Sequence, residues 1–389
     1  MARIAPHGGK LVDRLVPETD RARRLEEATR LPRLVPSLDE IYDAEKIGTG
    51  AYSPLEGFMD AATLASVVGR GRLPSDLAWP MPILLAPSGA ANEALIAAAR
   101  PGDRLALDDG AGRPFAILHL TEKFAYDKAE LARSAFGTED PKHPNVADLA
   151  HAGPTALGGS IELLRRLDLP TGELELTPAQ MRALFDERGW ERVAAYQCRN
   201  PPHTAHEYLQ RLTLERDDVD AMLIHPVVGR LKKGDYRPQV ILDAYQQLVE
   251  HYYPKDRVAL AAFSITMRYA GPKAALFLAI VRQNFGCASY IVGRDQAGVG
   301  TYYDPYACHR IFDEFPLGIR PLKYEETFFC RTCGWMATAK TCPHPKTDRL
   351  DTSQTRIRTA LAEGIPPPKE ILRPEVFAIL SRPDVLLPA

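Results

Sequence analysis

Residues 191–211, ERVAAYQCRNPPHTAHEYLQR, gather several chemically capable side chains in a short span. Gln197, Arg199, Asn200, His203 and His206 lie between an apolar run at 192–196 and a pattern of Ala205, Tyr208, Leu209 and Leu212. The run has the character of a buried parallel strand, and the pattern recurs at helical spacing. The spacing therefore predicts strand, tight turn, helix. Pro201 and Pro202 fit the start of that helix, where a missing N–H costs nothing. His203 and His206, three apart in the first turn, share a face. One guanidinium, two amides, two imidazoles and the N–H groups of a helix start then converge, which is the make-up of a polyanion site. Two other readings of these residues stand beside it. The histidine pair is also half of a zinc site, and the polar group is also what a solvated loop looks like.

Two further groups carry chemistry. Cys330-x-x-Cys333 followed by Cys342-Pro343-His344 offers three thiols and an imidazole, a set suited to tetrahedral zinc. Arg331, Lys340 and Lys346 nearby favour the thiolate forms. Four protein ligands would fill the shell, which predicts a structural metal; a redox C-x-x-C is the alternative. Gly293-Arg294-Asp295-Gln296-Ala297-Gly298-Val299-Gly300 is a glycine-rich turn whose backbone can approach a ligand closely, with Arg294 adding charge. It is not a G-x-G-x-x-G.

Elements must position these groups. Apolar runs at 221–228, 258–265 and 289–292 predict strands, and 273–285 predicts a helix apolar nearly all round, hence buried on more than one side. Strand, helix and strand within so short a stretch imply a parallel sheet, in which ligands bind at the carboxyl ends of strands. The 197–206 and 293–300 segments occupy two such ends. Earlier, short strand-like runs at 81–85, 103–107 and 115–120, separated by Pro and Gly, suggest a β-rich module. Residues 168–175, DLPTGELE, read as a linker. Thr177-Pro178-Ala179-Gln180 then has the residues of a capped helix start.

Length and composition bound the rest. A chain of 389 residues implies two or three domains, and 45% apolar with 25% charged residues is a globular composition. A net charge of −2 argues against general nucleic-acid binding, so an anionic ligand must be held by a local cluster. No run of eighteen apolar residues predicts a membrane span, and the opening MARIAPHGGK lacks the hydrophobic core of a signal peptide. With cysteines clustered rather than paired, the expectation is a cytoplasmic protein.

The string Gln197-Cys198-Arg199-Asn200-Pro201-Pro202-His203-Thr204-Ala205-His206 resembles the Q-x-R-N-P-x-H-x-x-H signature of the ATP sulfurylases. Residues 293–298 resemble that family's G-R-D-H-A-G, with Gln296 in place of His. Met267-Arg268-Tyr269-Ala270-Gly271-Pro272 resembles its M-R-x-A-G-P-R-E-A, with Lys273 in place of Arg. Gly50 to Met59 and Trp79 to Ile83 resemble its G-A-F-S-P-L-x-G-F-M and W-P-x-P-I; those residues read as turn-formers and core aromatics. A weaker match, with Ser353-Gln354 in place of Ser-Gly, lies near 350–363.

The resemblance implies an α/β protein with an N-terminal PUA-like β-barrel domain (1–172), a Rossmann-like parallel-sheet nucleotidyltransferase domain (173–323) and a small zinc-bearing C-terminal domain (324–389). It implies sulfate adenylyl transfer, ATP plus sulfate giving adenylyl sulfate and pyrophosphate. By carry-over, Gln197, Arg199 and the Ala297 backbone hold sulfate, and Asn200 orients the α-phosphate. His203 and His206 contact the β- and γ-phosphates, while Gly293, Arg294, Asp295 and Gln296 hold the nucleotide. Cys330, Cys333, Cys342 and His344 take zinc, and Mg²⁺ arrives with ATP. A basic loop at 229–236, with Arg230, Lys232 and Lys233, is either solvated or a flap near the triphosphate. A homo-oligomer, a dimer, is expected, with no nucleic-acid or membrane partner. The absence of G-x-x-x-x-G-K-[ST] predicts no fused adenylylsulfate kinase domain. Use of the same enzyme in reverse, or a related nucleotidyltransferase with another acceptor, remains an alternative.

Overall fold

The computed structural model describes residues 3–231, 234–350, 352 and 354–387. Its centre is a five-stranded sheet in the order β10-β9-β6-β7-β8, made of β6 (Val193–Tyr196), β7 (Ala221–Ile224), β8 (Val258–Leu260), β9 (Ser289–Val292) and β10 (Arg320–Lys323). Every pairing in it is parallel. Successive residues feed opposite faces, as the period of a strand requires. Val193, Ala195, Ala221 and Leu223 enter one core; Ala194, Tyr196, Met222 and Ile224 enter the other. Helix Pro272–Asn284 covers the first face and helix Pro238–Tyr252 the second. β7 stops at Ile224, short of the predicted end, because Pro226 lacks a ladder N–H. β8 is likewise only three residues long.

The chain runs outward from β6 through β7 to β8, then returns to β9 on the other side of β6. The direction of winding therefore reverses between β6 and β9. In open parallel sheets the crevice outside such a reversal is where ligands bind.

The N-terminal part holds a mixed sheet, β1-β3-β4-β5-β2, of β1 (Arg33–Leu34), β2 (Gly57–Phe58), β3 (Arg104–Asp108), β4 (Pro114–Ala125) and β5 (Thr155–Leu163). The run at 81–85, preceded by Pro80 and interrupted by Pro82, forms no strand; Leu85 makes a single bridge to Leu157. Tyr52 and Trp79 are core aromatics, as read from the sequence, but of a core larger than the N-terminal part. They meet Phe277 of the central domain edge-on, at 5.1 and 5.5 Å between ring centres. Asn284 donates to the carbonyls of Ala51 and Ser53, both at 3.0 Å. One core runs through both parts, and helix Pro272–Asn284 is enclosed as its composition predicts.

The 168–175 stretch, read as a linker, exposes Asp168, Pro170, Gly172 and Glu173 but is anchored at two residues. Thr171 and Glu175 are buried. The Glu175 carboxylate accepts from Lys46 Nζ at 2.7 Å, Ser264 N at 2.9 Å, Ser264 Oγ at 2.8 Å and Thr171 Oγ1 at 3.0 Å. Lys46 also pairs with Glu45 at 2.7 Å, as does Arg166. Glu175 ends the stretch in a buried ion network, while its other acids, Asp168 and Glu173, are exposed. Just beyond it, Thr177 and Gln180 form the expected capping box.

At the C-terminal side, β11 (Thr327–Cys330) pairs with β12 (Trp335–Thr338) and β13 (Arg349–Leu350), all antiparallel. The tail helix Pro374–Leu380 lays Val376, Ile379 and Leu380 into the core beside helix Pro238–Tyr252.

Candidate active site

β6 delivers Gln197, Arg199 and Asn200 to the reversal point, and β9 delivers residues 293–298 to the same place. Both segments line one cavity of about 640 Å³, together with His203 and His206. The five polar residues singled out between 197 and 206 all face it. The helix, however, begins at Thr204, with His203 as its N-cap and both prolines ahead of it. The prolines therefore shape the turn instead of opening the helix.

His203 and His206 stack, with ring centres 3.7 Å apart and planes inclined by 28°. Burial lowers the His203 pKa well below 6.5, with His206 adding to the effect, and burial takes His206 down to about 4. Both rings are neutral at ordinary pH. Their Nδ1 atoms are shielded and have no partner among the described residues. Neutral imidazoles with unused nitrogens can meet phosphate oxygens by hydrogen bonding.

Arg199 Nη1 donates to the Tyr269 hydroxyl at 2.6 Å, and its guanidinium lies 4.9 Å from the centre of that ring. Tyr269 thus steers the cation, a role not read from the sequence although it stands inside the quoted 267–272 segment. Gln197 Oε1 accepts from the Tyr290 hydroxyl at 3.0 Å and from Gln296 Nε2 at 3.1 Å. Gln296, at the family's His position, therefore ties the two loops together. Tyr290 sits inside β9, where nothing in its apolar context marks it.

The β9 loop is conformationally committed. Asp295 and Ala297 adopt φ of 53° and 60°, a region that costs a non-glycine residue energy and is held only by its surroundings. A Cβ on Gly298 would lie 2.0 Å from Asp295 Oδ1, so any other residue there would displace the Asp295 carboxylate. Ala297 O accepts from Gly271 N at 3.1 Å, joining this loop to the Tyr269 segment. Arg294 lines the cavity but stands 3.7 Å from Glu326, so part of its charge is already matched. Lys273 turns away and donates to the Ser134 carbonyl at 2.7 Å. In the basic loop, Arg230 pairs with Asp39 at 2.7 Å and Asp148 at 2.6 Å, both from the N-terminal part. Lys232 and Lys233, like Ser353, lie outside the described residues.

The far wall of the cavity was not anticipated. Glu325, Thr327, Phe328 and Arg349, all from the β11–β13 region, line it. The Cys330, Cys333, Cys342 and His344 ligand atoms lie within 4.8 Å of one another. His344 Nδ1 is 3.5, 3.2 and 3.7 Å from the sulfurs of Cys330, Cys333 and Cys342, and Cys333 and Cys342 are 3.7 Å apart. Zn–S bonds of ~2.3 Å and Zn–N bonds of ~2.0 Å place tetrahedral ligands about 3.5–3.8 Å apart, so the cluster fits zinc. The Cys333 N–H donates to Cys330 Sγ at 3.4 Å and draws that thiol down to about 7, toward the form that binds metal.

A family model described as ATP-sulfurylase matches residues 172–383, and one described as a PUA-like domain matches residues 4–166. A sulfate adenylyltransferase of Symbiobacterium thermophilum is 47% identical over 97% of this chain and 95% of its own length. That of Thermococcus onnurineus is 43% identical over 96% of this chain and 97% of its own. Among solved structures, the hexameric APS kinase from Thiobacillus denitrificans superposes with a TM-score of 0.76 at 29% identity, covering 99% of this chain and 69% of that one. By its family model and its full-length relatives, the chain belongs to the ATP-sulfurylase family of nucleotidyltransferases.

Proposed function

We propose that the chain catalyses sulfate adenylyl transfer, ATP plus sulfate giving adenylyl sulfate plus pyrophosphate, in the cavity between β6 and β9. The observation that carries this reading is the convergence of residues 197–206 and 293–298 on one cavity at the winding reversal. Sulfate is an anion at neutral pH, so its oxygen needs no general base. That oxygen attacks the α-phosphorus; the bond from the α-phosphorus to the bridging oxygen breaks, and its electron pair leaves with pyrophosphate. The work left to the protein is to hold two anions together and to stabilise the charge that departs.

The roles follow the chemistry of each residue. Gln197, Arg199 and the backbone at Ala297 hold sulfate; the planar guanidinium suits a tetrahedral oxyanion. Asn200 orients the α-phosphate. His203 and His206 donate to the β- and γ-phosphates as negative charge collects there. Gly293, Arg294, Asp295 and Gln296 hold the nucleotide. Mg²⁺, bound with ATP, screens its phosphates. Zinc in the Cys330, Cys333, Cys342 and His344 cluster closes a small subdomain that has little apolar core of its own. The catalytic unit spans about 173–323, between an N-terminal module to about 172 and the cluster-bearing part from 324. A cytoplasmic homo-oligomer, a dimer, suits this reading, and the hexameric neighbour sets the alternative that sedimentation would distinguish.

Pyrophosphate release from ATP and Mg²⁺ tests the function. Release that depends on sulfate supports it. Release that depends equally on an unrelated acceptor would point to a related nucleotidyltransferase instead.

A further inference from the structure

Arg349 lies in the cavity wall outside the switch-point motifs. It opens β13 and lines the same space as His203, His206 and Gly293. Its guanidinium lies over Phe328, 3.8 Å from the ring centre. Phe328 is buried and fixed in β11, so it acts as a rigid plate under the cation. Arg349 Nε is shielded from solvent without a hydrogen-bond partner, and no ion pair engages the side chain among the described residues. The other arginines of the cavity differ: Arg199 is held by Tyr269 and Arg294 stands near Glu326. A guanidinium with one face stacked on Phe328, and with no hydrogen-bond partner among the described residues, is poised for a planar or anionic group in the cavity.

We propose that Arg349 binds the nucleotide, donating to the phosphate chain of ATP while Phe328 holds its plane. The proposal rests on the adenylyl-transfer reading only for the identity of that nucleotide. A second link follows from register. In the antiparallel pairing of β11 with β13, Arg349 stands directly opposite Cys330, and Leu350 opposite Phe329. The two-residue strand β13 is thus fastened at the very position where β11 enters the Cys/His cluster. Filling that cluster with zinc fixes Cys330, and through the ladder it fixes the backbone that aims Arg349. The cluster so acts as a positioning device for one wall of the site, besides closing its own subdomain.

The test is calorimetric titration of the full chain with α,β-methylene ATP and Mg²⁺, in the wild type, R349A and R349M. Methionine keeps an unbranched stem over Phe328 and removes the donors, so it reports binding even where alanine disturbs β13. Both variants should lose affinity by roughly tenfold or more, the size of a lost charge-assisted hydrogen bond. Their zinc content, by elemental analysis, should match the wild type. In turnover assays the KM for ATP should rise while the KM for sulfate moves little. Wild-type affinity in R349M overturns the assignment and leaves Arg349 as packing on Phe328. Wild-type chain stripped of zinc by a chelator should lose affinity to the level of R349M; unchanged affinity overturns the positioning role. A wild type that binds the analogue but ignores sulfate would instead defeat the adenylyl-transfer reading and leave this one standing.

Discussion

Two regions of this molecule bury polar side chains, and they treat them in opposite ways. At the junction between the N-terminal part and the central sheet, Lys46 is matched by Glu45 and Glu175, Glu45 by Arg166, and Arg268 by Asp43. Burial alone would raise the Glu45 carboxyl, yet Lys46 and Arg166 outweigh it and hold the pKa below its ordinary value. At the winding reversal, His203 Nδ1, His206 Nδ1 and Arg349 Nε are shielded with no partner among the described residues. Buried polar groups in a folded protein are mostly satisfied, so unsatisfied nitrogens that also line a cavity are candidates to meet a ligand. The junction matches its buried charges with counter-charges, although Trp79 Nε1 there has no partner among the described residues; in the cavity the unpartnered nitrogens belong to side chains that line the space proposed for the substrate.

The comparison can be broken first at the junction. Lys46→Met leaves Glu175 buried without its cation and Glu45 with Arg166 alone, which should cost about 3–5 kcal/mol of stability. Chemical denaturation should show that loss, while turnover per folded molecule stays near wild type. Turnover falling in step with a modest stability change would mean that the junction is also part of the catalytic machinery.

In the cavity the expected pattern is reversed. Arg199→Ala should lower turnover by roughly 10³-fold, since it removes a fixed cation from the reacting anions, with melting close to wild type. Tyr269→Phe removes the hydroxyl that steers Arg199 and should cost a few-fold, of order 1 kcal/mol. Equal losses in the two variants would show that Tyr269 does more than steer.

His203→Ala and His206→Ala should act on kcat, by roughly 10²-fold each, and little on KM, because the charge they meet develops only as pyrophosphate departs. Losses confined to KM would place the histidines in ground-state binding. Zinc lost from the protein together with either histidine would make the pair a metal site.

The smallest effect is on stability against pH. The folded state keeps His206 neutral down to about 4, whereas an ordinary histidine takes up a proton near 6.5. Between those values the unfolded chain binds more protons, so stability falls as pH falls through that window. His206→Gln should flatten that part of a melting-temperature profile; an unchanged slope would mean that His206 is protonated in the folded protein.

Much of this arrangement could be read from the chain alone. The apolar runs that became β6 and β9 end directly at Gln197 and Gly293, so both site loops were visible as strand-to-turn transitions. The cysteine and histidine spacing foretold the cluster. What stayed hidden depends on contacts distant in sequence. Strand order is set by packing, and no local pattern told that β9 returns to the flank of β6. Glu175 looked like part of a polar linker because its partners Lys46 and Ser264 are remote. Tyr52 and Trp79 read as core aromatics, and nothing near them in sequence points to Phe277 as their partner. Phe328 and Arg349 carry no spacing signal, and only the fold of β11 against β13 brings them to the cavity.

The central claim is that the cavity at the winding reversal transfers the adenylyl group of ATP to sulfate. It is tested most directly by pyrophosphate release from ATP and Mg²⁺, with and without sulfate, in the wild type and in Arg199→Ala. The account predicts sulfate-dependent release by the wild type that nearly vanishes in a folded Arg199→Ala. Sulfate-dependent release that survives at the wild-type rate in that variant would contradict it.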